Sequence, residues 1–234
     1  MTTARGRRTG FSTRAIVAAF AVAAALAVAV IGAALVLGGG SGGGARGPTT
    51  DLTGIAQEGA FLGNPEAKVL LIEYADLQCP FCREWAVEVF PTLVEEYVRP
   101  GDVRLELRGL AFLGPDSEKA LRFVAAAGRQ NRAWDLQEAL FRAQGEENSG
   151  WVTDDLVREL ASGIPGLDVD RMFADAESSS VTAQIREWAR QGRRDGVPGT
   201  PTFFVRIDDE EPYLIQVPLE PDPFRAALDD ALAG

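Results

Sequence analysis

Residues 69–82 read VLLIEYADLQCPFC, and this stretch decides the fold. Val69, Leu70, Leu71 and Ile72 form an unbroken apolar run with β-branched members, preceded by Asn64-Pro65 and followed by polar residues. That is the pattern of a strand buried on both faces. Cys79, Pro80, Phe81 and Cys82 follow within a few positions, and from residue 80 to about 98 the period turns helical. Trp85, Val89 and Leu93 recur at every fourth place, with Pro91 as the expected kink. Val103, Leu105 and Leu107 then alternate with Arg104, Glu106 and Arg108, which predicts a second strand, half-buried or close to a sheet edge. Strand, helix, strand is a βαβ unit and favours a parallel pair with a right-handed crossover.

Downstream the periodicity stays helical for a long way. Ala133, Leu136, Leu140 and Phe141 share one helix face, and Leu156, Val157, Leu160 and Ala161 repeat the theme behind a Thr153-Asp154-Asp155 start signal. Asp168 opens a further helical region carrying Met172, Phe173, Ile185 and Trp188, broken near 178–180 and stopped by Gly196. The aromatics in it read as core. Strand character returns at 202–205, a turn follows at 208–212 and an antiparallel partner at 213–217, and residues 223–232 close the chain as an amphipathic helix. The order βαβ, helices, ββα describes an α/β core with a helical lobe inserted at about 115–192.

The chain has two cysteines, Cys79 and Cys82, and no histidine. Two cysteines scattered at random along such a chain would show this spacing in roughly one case in a hundred, so a dithiol that opens and closes is the leading reading. The attacking species in disulfide exchange is a thiolate. Cys79, placed before a helix with Pro80 at its first position, meets unpaired N–H groups and the positive end of the helix dipole, which makes it the expected attacker. Cys82, one turn later on the same face, is expected to be more buried and to resolve the mixed disulfide. A zinc half-site would need two more ligands that no cysteine or histidine is left to supply, so no metal is expected. A purely structural clip is the other reading, although so short a ring restrains little chain. The lack of histidine also excludes the usual hydrolase triads.

The first fourteen residues carry Arg5, Arg7, Arg8 and Arg14 without an acid, and residues 15–37 then run without a charge. As a helix that segment is about 35 Å long, enough to cross a hydrocarbon core of about 30 Å. With arginines on its N-terminal side only, the expectation is a retained single span with a cytoplasmic N-terminus (1–14) and the bulk of the chain outside the cell membrane. A cleaved leader is the alternative, but its apolar core normally runs about 7 to 15 residues. Residues 38–53 begin GGGSGGGARGP and read as a flexible tether reaching roughly 20 to 24 Å. Residues 54–234 then form the folded domain. From residue 51 onward 18 basic residues face 34 acidic ones, a net charge of −16, which disfavours nucleic acid and anionic headgroups as partners.

Leu62-Gly63-Asn64-Pro65, Val69 to Tyr74, Asp76-Leu77-Gln78-Cys79-Pro80-Phe81-Cys82, Gln130, Trp134, Leu140-Phe141 and Gly196-Val197-Pro198-Gly199-Thr200-Pro201-Thr202-Phe203-Phe204-Val205 together resemble the membrane-anchored, DsbA-like thiol:disulfide oxidoreductases of the thioredoxin superfamily. The resemblance covers roughly residues 60–232. It implies a thioredoxin-like fold with an inserted helical domain, and a protein disulfide oxidoreductase without organic cofactor that exchanges disulfides with exported proteins. It also implies that Pro201 is cis beside the disulfide, with the Thr200 backbone pairing an extended substrate segment. Glu73 matches the acidic residue under the disulfide, where an apolar setting would raise its pKa and let it exchange a proton with Cys82. Asp76 also matches and reads first as a turn or cap residue. A quinone-linked membrane protein of the DsbB or vitamin K epoxide reductase type is the implied reoxidation partner. Strongly oxidising relatives carry histidine where this chain has Phe81, so a milder oxidant is expected, with Phe81 and Pro80 available as apolar contacts for substrate. Reductase or isomerase activity, and a non-catalytic chaperone or docking module, remain as alternatives.

Overall fold

The computed structural model describes residues 49–234. The expected basic N-terminus, the span at 15–37 and the tether up to residue 48 lie outside the described residues; within them no helix is long and apolar enough to cross a membrane. Six strands form one sheet: β1 (Gln57–Glu58), β2 (Phe61–Leu62), β3 (Val69–Ala75), β4 (Val103–Gly109), β5 (Thr202–Ile207) and β6 (Tyr213–Ile215), in the order β1-β2-β4-β3-β5-β6. β3 pairs in parallel with β4, from Val69↔Val103 to Ala75↔Gly109, and antiparallel with β5, where Tyr74 faces Thr202 and Glu73 faces Phe203. All seven residues of β3 are buried, as a central strand covered on both faces requires.

Two expectations need correction. β4 is an interior strand between β3 and β2, and Glu106 and Arg108, read as its exposed face, are only 8% and 9% exposed. The alternation separates the two faces correctly, but the polar face is covered, and the two side chains are tolerated there because Arg108 donates from Nε and Nη2 to both carboxylate oxygens of Glu106. The sequence reading also lacked β1 and β2, which are two residues each and form a hairpin turning at Gly59-Ala60 with Gly59 at φ +60°.

Helix α1 spans residues 80–98 and alternates between α turns (Pro80–Glu84, Phe90–Leu93) and wide π turns (Trp85–Val89, Val94–Val98). Pro91 has no N–H to give, and the helix accommodates it by widening just before it, where the Phe90 N–H reaches back to the Trp85 carbonyl. The buried side of α1 carries Trp85, Val89, Phe90 and Leu93. The Trp85 ring lies 5.1 Å from Phe203 of β5, and Phe90 stacks on Trp134 at 5.4 Å with a 7° interplanar angle. Phe224 of the last helix, α7 (Pro221–Ala233), packs edge-on against Phe203.

Between β4 and β5 lie α2 (Pro115–Gly128), α3 (Ala133–Arg142), α4 (Asp154–Ser162), α5 (Val169–Ala176) and α6 (Ser179–Arg194). The last three start where short polar side chains cap them: Thr153 accepts from the Leu156 N–H, Asp168 from Arg171 and Ser178 from Val181. α2 packs so closely on the end of β4 that a Cβ at Gly109 would sit 2.1 Å from Leu121 Cδ1. The architecture is the thioredoxin-like α/β fold with a helical insertion that the sequence resemblance implied. Its larger core lies on the side of α1, α7 and the insertion, while Leu70, Ile72, Tyr74 and Leu110, with Val197 and Phe204 against them, form a second core on the other side.

Candidate active site

The site begins where β3 ends. Asp76, wholly buried, accepts from the Gln78 N–H (2.9 Å) and the Ser117 hydroxyl (2.5 Å) through Oδ1, and from the Phe112 (2.6 Å) and Leu113 (3.1 Å) N–H groups through Oδ2. Its own carbonyl receives the Cys79 N–H at 3.0 Å. Asp76 is therefore a turn residue, as expected, and also a hub tying the β3–α1 loop to the start of the insertion. Gln144 adds a second tie, donating to the carbonyls of Leu77 (2.8 Å) and Cys79 (3.2 Å), while Gln78 and Asn148 bond each other through both side-chain and backbone groups.

Cys79 is thereby held at the N-cap of α1 in extended conformation (φ −70°, ψ 120°), with Pro80 at the first helical position. Cys79 as a residue is 5% exposed and Cys82 is fully buried. The two thiols are pushed apart in acidity. Cys79 falls to about 6, first because the Cys82 thiol donates to its sulfur; the N–H groups of Cys82 and Phe81 and the Thr200 side chain add to this against the cost of burial. Cys82 rises well above the ordinary thiol range, because it is desolvated and because it donates its proton to Cys79.

Thr200 and Pro201, distant in sequence, close the site from the start of β5. The Thr200–Pro201 bond is cis, and the Cys79 thiol donates to the Thr200 carbonyl at 3.1 Å. Pro80 and Phe81 face solvent, Phe81 being 59% exposed. Phe81 forms one wall of a groove of about 430 Å³ whose other lining includes Pro198, Thr200, Pro201, Leu214 and Val217. Among the described residues no cluster of three or more metal-ligating side chains forms.

Glu73 lies on β3 beneath the thiols and is 1% exposed. Its Oε2 accepts from Gln137 Nε2 at 3.0 Å, whereas Glu73 Oε1 and Gln137 Oε1 have no protein partner. Burial raises the carboxyl to about 8 against the lowering effect of the Gln137 hydrogen bond, and the charge of Cys79 adds to the rise. The structure thus brings Cys79, Cys82, Glu73, Thr200 and Pro201 together, with Pro80 and Phe81 at the rim. Sequence reasoning missed Gln137, Gln144 and Asn148. Gln137 had a signal: it stands one turn from both Ala133 and Phe141, a polar residue on the buried stripe of α3.

A family model described as thioredoxin matches residues 56–230. A "Probable disulfide bond formation protein D" of Bacillus anthracis is 30% identical over 151 residues, 62% of this chain and 68% of that protein. Among solved structures, oxidised BdbD from Bacillus subtilis superposes with a TM-score of 0.67 at 22% identity, covering 77% of this chain and 98% of that one. A thioredoxin-like oxidoreductase from Silicibacter pomeroyi gives 0.59 at 30% identity over 74% of this chain and 92% of its own. The dithiol at a helix start, the facing proline loop, the inserted helices and these matches lead to one conclusion: the chain belongs to the thioredoxin family, as a DsbA-like thiol:disulfide oxidoreductase with Cys79 and Cys82 as its exchanging pair.

Proposed function

We propose that this enzyme donates disulfides to exported proteins from a position tethered to the outer face of the cell membrane. The observation that carries the direction is the split acidity of the two thiols, with Cys79 at about 6 and Cys82 far above. A substrate thiolate attacks Cys79 Sγ of the oxidised enzyme, the Cys79–Cys82 bond breaks, and the electron pair leaves on Cys82. Glu73, neutral for the most part at pH 7, supplies the proton that Cys82 then takes up. A second substrate thiolate attacks its own sulfur in the mixed disulfide and expels Cys79. A thiol of low pKa is the better leaving group, so release of a newly formed substrate disulfide is favoured over the reverse. Cys79 falls between the values of about 7 in thioredoxin and about 3.5 in DsbA, which suits a donor milder than DsbA.

The groove beside Phe81, lined by the 198–201 loop, supports an extended peptide as substrate, docked by short β-type pairing at Thr200. The arginine-flanked apolar segment at 15–37 supports a membrane tether. A donor is left reduced after each turnover, and a quinone-linked membrane protein of the DsbB or vitamin K epoxide reductase type is the proposed reoxidant. The test is equilibration of the enzyme with glutathione followed by thiol trapping, alongside the rate at which it oxidises a reduced unfolded protein. A potential well above that of thioredoxin, about −270 mV, is expected; a value at or below it assigns the enzyme to reduction instead.

A further inference from the structure

On the far side of β3 from Glu73, the interior strand β4 and the end of α6 meet in a buried polar network that the exchange chemistry leaves unused. Arg108 Nη1 donates to the Tyr74 hydroxyl (2.8 Å) and to Asp195 Oδ2 (3.0 Å), and the Tyr74 hydroxyl donates its own proton to the same Asp195 oxygen (2.5 Å). Burial, and the carboxylate that accepts its proton, hold the Tyr74 phenol above its ordinary range, so it remains a donor at any working pH. Glu106 already satisfies the other nitrogens of Arg108. Asp195 adds a third, half-buried charge and with it some desolvation cost, and such networks specify geometry better than they stabilise.

The geometry specified here is that of the loop carrying Thr200. Asp195 is the C-cap of α6, one residue past Arg194. The chain turns at Gly196 (φ +67°), returns a hydrogen bond from the Val197 N–H to the Gly192 carbonyl, and seats Val197 against the second core. At the far end of the loop Thr202 pairs in register with Tyr74, and its hydroxyl donates to the Gly199 carbonyl at 2.7 Å. Tyr74 thus grips the 195–202 segment at both ends, by its hydroxyl at Asp195 and by its backbone at Thr202. Between the two anchors Thr200 is presented to Cys79.

We propose that Asp195, held by Tyr74 and Arg108, is a positioning residue for disulfide exchange: it fixes the proline loop so that Thr200 meets both the Cys79 sulfur and the incoming peptide. The proposal rests on the reading of Cys79 as the exchanging thiol. The groups facing Cys79 are Cys82 from α1, Glu73 from β3 and Thr200 from the loop, and the substitutions leave the first two untouched. The experiment uses the full chain as wild type, Asp195→Asn, Tyr74→Phe and, as control, Asp209→Asn in the exposed turn before β6. The rate of Cys79 alkylation is measured against pH, and kcat and KM for oxidation of a reduced dithiol peptide are measured separately.

For Asp195→Asn the alkylation midpoint is expected to move from its wild-type position, because the Thr200 side chain, which favours the thiolate, and the Thr200 carbonyl, which accepts from the thiol, both withdraw from the sulfur. KM is expected to rise about fivefold, the loss of one neutral hydrogen bond's worth of docking. Tyr74→Phe keeps the ring and the Arg108–Asp195 ion pair and is expected to show a smaller shift in the same direction; it decides the matter if Asp195→Asn does not fold. Wild-type alkylation profiles and KM in the folded variants, with only the melting temperature lowered, would make Asp195 a stability group and overturn the proposal. A wild-type enzyme that exchanges no disulfide would instead overturn the reading beneath it.

Discussion

Replacing Glu73 with glutamine removes a carboxyl that ionises near 4.5 in the unfolded chain and at about 8 in the folded one. Because the folded state holds this proton more tightly, it binds more protons than the unfolded state between those values, and linkage requires stability to fall as pH rises through that window. Integrated, the cost of carrying Glu73 is less than about 0.5 kcal/mol at pH 4.5, on the order of 3 kcal/mol at pH 7 and about 4 kcal/mol at pH 8. The site is 1% exposed, so solvent does little to screen the effect. Equilibrium urea unfolding of the oxidised wild type and of oxidised Glu73→Gln, from pH 4.5 to 8, isolates the burial contribution, since no Cys79 thiolate is then present. Any fixed gain or loss from the new amide's own contacts cancels in the pH dependence. The variant is expected to gain on the order of 3 to 4 kcal/mol on wild type between pH 4.5 and 8 while its resolving step slows by about a hundredfold or more, the usual contribution of a general acid or base. Parallel stability curves would show that Glu73 is not a buried neutral acid and would remove it from the proton path.

Three further outcomes follow from the geometry. Reduced wild type is expected to alkylate at Cys79 with a midpoint near pH 6, and Cys82→Ala, which leaves no donor at that position, to shift that midpoint upward, because the Cys82 thiol is the first cause of the lowering; stopped-flow alkylation with peptide mapping reads both. Asp76→Ala strands three backbone N–H groups at the β3–α1 and insertion loops and is expected to cost at least about 3 kcal/mol in urea unfolding, with a weaker hold on Cys79. Gly109→Ala drives a methyl into Leu121 and is expected to cost about 1 to 3 kcal/mol without moving the alkylation profile.

The proline loop facing the thiols was legible only through the family resemblance that Gly-Thr-Pro-Thr before a late strand helps to carry, whereas the exchanging pair and the central strand were legible because each is local, a spacing of two thiols and an apolar run. The helix starts were legible for the same reason, Thr153, Asp168 and Ser178 capping within one turn of themselves. What pairing across the fold decides was harder to read. Glu106 and Arg108 look solvent-facing by alternation and are buried only because each satisfies the other, with Tyr74 and Asp195 completing the network. β1 and β2 are too short for any period to register, and their hairpin is held from elsewhere, by Asn131 accepting the Gly59 N–H and Trp134 donating to the Ala60 carbonyl. Asp76 reads as a turn residue from its neighbours, and its bonds to residues 112, 113 and 117 follow from where the insertion folds back.

The most direct test of the central claim, that Cys79 is the sulfur exchanging with substrate, is to trap the intermediate. Reduced full-length Cys82→Ser and Cys79→Ser are each mixed at pH 7 with a disulfide-bonded peptide, quenched in acid and mapped by mass spectrometry. A mixed disulfide accumulating on Cys79 in Cys82→Ser, with little adduct on Cys82 in Cys79→Ser, is the predicted result. Equal adducts on the two cysteines, or none on Cys79, would contradict it.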